Sequence, residues 1–292
     1  MKKKIIVIVA SLMLLTGAWY WLKKASQSLY IDLQADGNGA SRNASRNYNF
    51  LKTYKPWLVD SDPAFTLANR SLNGRNIRWI VNTYDYLVAP IARSLNVPRA
   101  LIYALIAVES GSVAASAGFV RATYESKLSG NIAGAIGIMQ IKPITATETL
   151  QIANNKKLIT AFHRSIIESH IGKARTAELF TILMGTQYTY VNNKIIAYSG
   201  PKSELNDPEL NILIGVAKLA NLIDNYGETN LHQVFYAYNQ GDRTVIARGL
   251  EQYITPSVFM KYISGEGSKY VKRILGLNGS LDIVINDLKI NA

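Results

Sequence analysis

One carboxylate stands out by where it sits. Glu109 lies near the end of VPRALIYALIAVESGS, residues 97–112, in which Pro98 can open a helix and Gly111 can close it. Leu101, Ile102, Leu105, Ile106 and Val108 of the same stretch head into a core. A carboxylate on the apolar side of a buried helix is costly unless it is protonated or well paired. The negative end of the helix macrodipole disfavours the anion further. Both effects raise its pKa, which is what a general acid working near neutral pH requires. The competing reading is a glutamate that faces solvent just as its helix ends.

Three later segments bear on that choice. GAIGIMQIKP, residues 134–143, is an apolar turn punctuated by glycines, which let backbone approach a ligand closely. Met139 and Gln140 within it are suited to pack against and hydrogen-bond a sugar amide; alone, the segment also reads as an ordinary turn. NILIG, residues 211–215, leads to Asp224-Asn225-Tyr226-Gly227 and reads as a scaffold helix with a glycine for close packing. FYAYNQG, residues 235–241, ends an apolar helix on Tyr238 and Asn239. A tyrosine there is either a core aromatic with a wet hydroxyl or a catalytic group.

Taken in chain order, Glu109-Ser110-Gly111, GIMQ, the Asn211/Gly215 helix and Tyr238-Asn239-x-Gly241 resemble the soluble lytic transglycosylase catalytic domain, which shares the goose-type lysozyme fold. The resemblance runs from about Val97 to Leu275 and includes a closing Tyr270-Val271-Lys272-Arg273-Ile274. It implies a lysozyme-like, mainly helical domain that cleaves the β-1,4 bond between N-acetylmuramic acid and N-acetylglucosamine in peptidoglycan. It further implies Glu109 as catalytic acid, Met139 and Gln140 as the loop lining the glycan cleft, and Tyr238 and Asn239 beside the acid. Ser110 accompanies the acid in the motif. The sequence departs from the family pattern at Ile138, where leucine is usual, and at Asn131, which replaces a serine and can still donate to an acetamido group. It also carries extra residues at about 116–130 and between Pro143 and Asn211.

Most glycosidases pair two carboxylates, roughly 5–5.5 Å apart for retention or 6.5–9.5 Å for inversion. No second acid lies in a recognisable motif, and Asp207, Asp224 and Asp242 read as caps or surface charges. One carboxyl suffices if the substrate supplies the nucleophile. Glu109 would protonate the glycosidic oxygen and then accept the proton of the muramoyl 6-hydroxyl, whose attack on C1 leaves a 1,6-anhydro end. Tyr238 would orient Glu109 or the departing oxygen, while Gln140 and Asn131 hold N-acetyl groups. The chemistry calls for no cofactor and no metal; His163, His170 and His232 read as surface or core histidines, and no His-Glu-x-x-His, P-loop or Gly-x-Ser-x-Gly pattern occurs. The rivals are a muramidase on the same fold that uses water and a catalytically idle glycan-binding scaffold. A nucleic-acid binder is argued against by basic residues that are scattered and not striped along one helix.

The elements that must position these groups are helical: residues 76–96, 98–110, 144–153, 157–169, 176–190, 211–226, 231–238, 242–250 and 269–275. Only 281–290 is ambiguous between helix and strand. The fold class is mainly α, a lysozyme-like single catalytic domain with an N-terminal membrane segment and flexible tether. The predicted organisation is 1–24 anchor or signal segment, 25–75 tether and extension, and 76–292 catalytic domain. Residues 5–22 carry no charge and are flanked by Lys2-Lys3-Lys4 and Lys23-Lys24, close to the roughly 20 residues that span a bilayer. The expected location is the inner membrane with the domain facing the periplasm or cell wall; a cleaved signal would leave a soluble periplasmic protein.

The 292 residues contain no cysteine, which excludes thiol nucleophiles and Cys-ligated metal. Of the formal +12, Lys2, Lys3 and Lys4 set topology, and the remaining 29 basic against 20 acidic residues leave +9. That excess suits a polymer bearing lactyl and peptide carboxylates. Peptidoglycan strands are thus the expected partner, with cell-wall or secretion-machinery proteins as further partners and no nucleic acid.

Overall fold

The chain turns from α1 (Arg70–Ser94) into α2 (Arg99–Ser110), and every residue from Ala100 to Val108 is buried. The computed structural model describes residues 46–114, 118–121, 134–181, 189–191, 194–197 and 200–290. The uncharged run 5–22, the part of the expected 25–75 tether and extension that precedes Arg46, and Asn131 lie outside them. A helix that is apolar all round must be enclosed, and α2 is the centre of one hydrophobic core.

A hairpin follows α2, with β1 (Gly111–Ala114) antiparallel to β2 (Gly118–Arg121) and Gly111 opposite Arg121. Three helices come next, α3 (Pro143–Asn155), α4 (Ala161–Ile171) and α5 (Lys173–Thr181). A second short hairpin pairs β3 (Thr189–Val191) with β4 (Lys194–Ala197). The C-terminal half holds α6 (Pro208–Tyr226), α7 (Leu231–Gln240), α8 (Asp242–Ala247), α9 (Pro256–Phe259) and α10 (Gly265–Leu275). A last turn, α11 (Ser280–Asp282), continues as a π-helical segment, Ile283–Asp287.

The architecture is mainly helical, as the periodicity implies, with differences of detail. The strand β2 and the whole second hairpin fall where extra residues interrupt the family pattern; α5 is described as far as Thr181, and of the remainder of the expected helix 176–190 only Thr189 and Tyr190 lie among the described residues, in β3. Residues 281–290 resolve towards helix, because Leu281, Ile283, Val284 and Ile285 are all buried instead of alternating. The first helix begins at Arg70, earlier than the apolar periodicity suggests. Arg70 pairs with Asp282 at 2.5 Å and Asp287 at 2.7 Å, and Asn73 Nδ2 donates to Ala64 O at 2.8 Å. Remote partners therefore hold a polar first turn.

Residues ahead of α1 join the same core through Tyr48, Leu51, Tyr54, Leu58, Ala64 and Phe65. Arg46 fixes their start, donating to Leu95 O at 2.9 Å and to Asp224 Oδ1 at 2.6 Å. Among the described residues no helix is long and apolar enough to cross a membrane.

Candidate active site

Glu109 sits in the last turn of α2, partly buried, where the enclosed helix reaches the edge of the core. The hydroxyl of Tyr270, from α10, donates to Glu109 Oε1. Tyr270 is buried, and desolvation, reinforced by the negative charge of Glu109, holds its phenol well above the ordinary tyrosine pKa. It is thus a neutral donor across the working pH range. Both sequence-derived alternatives for Glu109 are partly realised: the residue is at the helix end and partly exposed, yet its carboxylate is engaged by a buried phenol.

The segment 134–142 lies beside it as a tight loop. Ile136 N donates to Ile141 O at 3.0 Å, and Ile141 N returns the bond to Ile136 O at 2.9 Å. Gly137 takes a positive φ of 74°, and a Cβ there would come within 2.6 Å of Leu205 O and collide with the Asn211 amide. Only glycine fits, because the side chain of Asn211 fills the space. Asn211 donates through Nδ2 to Ile136 O at 2.9 Å and Leu205 O at 3.1 Å, and accepts from Met139 N at 2.8 Å. Ser110, next to Glu109, closes the other side by donating its hydroxyl to Ile138 O.

Met139 is wholly buried, and its side chain fills the notch left by Gly215 of α6. It holds the loop from beneath. Gln140 is partly exposed with a positive φ of 49°, and its Nε2 donates to Gly137 O at 2.7 Å. Tyr238 is buried, and its hydroxyl donates to Met139 O at 3.2 Å. Burial, then the charge of Glu109, pushes its phenol well above the usual range. Asn239, at the end of α7, is partly exposed and accepts from Gln240 Nε2 at 2.5 Å. The structure therefore gathers Glu109, Ser110, Met139, Gln140 and Tyr238 around one loop, with Asn239 following Tyr238.

Sequence reasoning missed two members. Tyr270 was visible only as part of a closing helix, although Gly267, Tyr270, Val271 and Ile274 form its buried face. Lys218, on α6, donates from Nζ to Tyr238 O at 2.8 Å and lies 4.2 Å from the centre of the Tyr238 ring. Asn211 read as scaffold and is the bracket of the loop. Of the carboxylates considered as second acids, Asp207 caps α6 by accepting from Glu209 N, Asp224 pairs with Arg46, and Asp242 accepts from Tyr226.

The histidines lie elsewhere in the contact network. His163 is buried against Ser94, and His232 is buried against Phe259. His170 approaches Glu209 at 3.4 Å and Asp207 at 3.7 Å, joining α4 to the start of α6; these three have the spacing of metal ligands.

Residues 182–256 match the family model described as Transglycosylase SLT domain. The match spans α6 and α7, hence Asn211, Gly215, Lys218, Tyr238 and Asn239, and supports the lytic transglycosylase and lysozyme-like family, with its peptidoglycan-directed activity at family level. Glu109, the 134–142 loop and Tyr270 lie outside the matched residues and join them through the contacts above. No curated protein and no solved structure matches the chain.

Proposed function

We propose that this chain, carrying a transglycosylase SLT segment, is a peptidoglycan lytic transglycosylase with Glu109 as its single general acid and base. The observation that carries the reading is the Glu109 carboxyl, held by the Tyr270 hydroxyl beside a loop that Asn211 and Tyr238 fasten by its backbone. Glu109 donates its proton to the glycosidic oxygen as the bond to muramoyl C1 breaks. The resulting carboxylate accepts the proton of the muramoyl 6-hydroxyl, and O6 bonds to C1. The glycan is left with a 1,6-anhydro end and water is not consumed. The Tyr270 hydroxyl stabilises and aims the carboxylate form.

The engagement of Asp207, Asp224 and Asp242 elsewhere supports a one-carboxylate scheme. Gln140 and Asn131 are the proposed partners of N-acetyl groups, and Ser110, Met139 and Asn239 shape the loop and helix end that the glycan meets. In this reading residues 5–22 anchor an exported protein in the inner membrane, and residues 76–292, together with the residues from Tyr48 onward that share their core, form the catalytic domain at the periplasmic or cell-wall side.

Digestion of purified sacculi with the full-length chain tests the reading. Muropeptides lighter by one water than their reducing-end counterparts are expected. Products with reducing ends alone would replace it with a muramidase on the same scaffold, and no release at all would leave a glycan-binding protein.

A further inference from the structure

Three residues of α6 recur at spacings of four and three, Asn211, Gly215 and Lys218, and so share one face of the helix. Asn211 binds the backbone of the 136–139 loop, Gly215 receives the Met139 side chain, and Lys218 reaches Tyr238. The first two contacts fix the loop. The third joins the opposite side of the site to the same face.

Lys218 is a cation in a stretch with no other charge, LIGVAKLANLI, and its ammonium is used twice. It donates to the carbonyl of Tyr238, one of the last four of α7, which lack ordinary intrahelical donors. It also sits over the face of the Tyr238 ring, an attractive arrangement for a desolvated cation. Its charge is felt by groups on two further elements and at the loop end: Glu109 on α2 and Glu148 on α3 favour the ammonium, and Lys142 opposes it.

We propose that Lys218 is a positioning residue that locks Tyr238 in place through its carbonyl and ring, and from there supplies a positive charge that favours the Glu109 carboxylate. The proposal rests on the transglycosylase reading above. By Coulomb's law such a cation favours the carboxylate that remains after Glu109 has given up its proton. The interaction is mutual, since Glu109 and Glu148 favour the ammonium while burial and Lys142 oppose it. Burial prevails and brings the lysine down to about 8.

Two arms test this on the full-length chain. In the first, lysine labelled with 13C at Cε is titrated by NMR, and Lys218 is assigned from the signal lost in Lys218→Arg. The expected midpoint is near pH 8 and falls by about half a pH unit or more in Glu109→Gln, which removes that carboxylate. A midpoint that Glu109→Gln leaves in place, or that only Glu148→Gln moves, overturns the proposal.

In the second arm, the pH profile of muropeptide release from sacculi is compared for Lys218→Gln, Lys218→Met and Lys218→Arg. Without the cation Glu109 keeps its proton to higher pH, so the alkaline limb moves up by about one pH unit in the Gln and Met variants and returns in the Arg variant. A profile that drops uniformly without moving makes Lys218 merely structural and overturns the proposal. If Lys218→Met fails to fold, the Glu109→Gln titration reads the same coupling with the lysine intact. If the wild-type chain releases nothing, the transglycosylase reading fails while the NMR arm still decides the coupling.

Discussion

Replacing Tyr270 by phenylalanine removes one oxygen from the contact that organises the candidate acid. Phenylalanine fills the same buried volume between α10 and α2, so the fold is expected to survive. The lost interaction is a hydrogen bond from a neutral phenol to a carboxylate, with the phenol fully enclosed. Hydrogen bonds to charged groups contribute about 1.5–3 kcal/mol. The bond is strongest when Glu109 is ionised, after proton donation, so most of this appears in the chemical step. At about 1.36 kcal/mol per tenfold, kcat is expected to fall about 10- to 150-fold with KM little changed. The assay is initial-rate release of soluble muropeptides from sacculi, read beside a thermal melt of the same preparation. A Tyr270→Phe variant that melts like wild type and works within twofold of its rate would refute the role given to this hydroxyl.

Further outcomes concern the scaffold. Gly215→Ala places a methyl group within 2.9 Å of Met139 Cβ, and such overpacking costs about 1–3 kcal/mol; a lowered Tm is expected, and an unchanged one would contradict the close approach of α6 to the loop. His163 accepts from Thr160 N at 3.1 Å through Nδ1, so Nε2 carries the proton to Ser94 Oγ at 2.7 Å, and burial pushes its pKa down to about 4. The unfolded chain takes up that proton near pH 6.5, so stability present above pH 6.5 is lost as pH falls towards 4, by up to about 3 kcal/mol. Urea unfolding at pH 7 and pH 5 should show a smaller difference in His163→Gln than in wild type; equal differences would count against it. Arg46→Ala breaks the clamp on Asp224 and Leu95 O, at a cost of about 2 kcal/mol, and should open residues 46–58 to limited proteolysis. A cleavage pattern unchanged from wild type would show that the clamp does not hold this segment.

Glu109 and the helices were readable because their signals are local. An apolar run bounded by Pro98 and Gly111, or one that Asp207 caps and Gly227 stops, needs no remote partner to be recognised. Met139 and Gln140 were found as a pair, but the sequence could not separate them: Gly215, 76 positions after Met139, makes the space that buries one and leaves the other at the surface. Tyr270 escaped because nothing in an amphipathic helix says where a buried hydroxyl points, and its partner lies 161 residues away. Lys218 did leave a trace, a lone charge within an apolar helix, which is costly without a specific use. The early start of α1 and the four short strands depend on tertiary pairing that short-range periodicity does not encode.

The central claim is that Glu109 directs intramolecular attack by the substrate's own hydroxyl, without water. Digestion of sacculi in water enriched in 18O, with immediate borohydride reduction and mass spectrometry of the muropeptides, tests it most directly. The account predicts 1,6-anhydro ends free of 18O from wild type, and a loss of at least about 100-fold in Glu109→Gln. Reducing ends carrying 18O, or a Glu109→Gln variant as active as wild type, would contradict it.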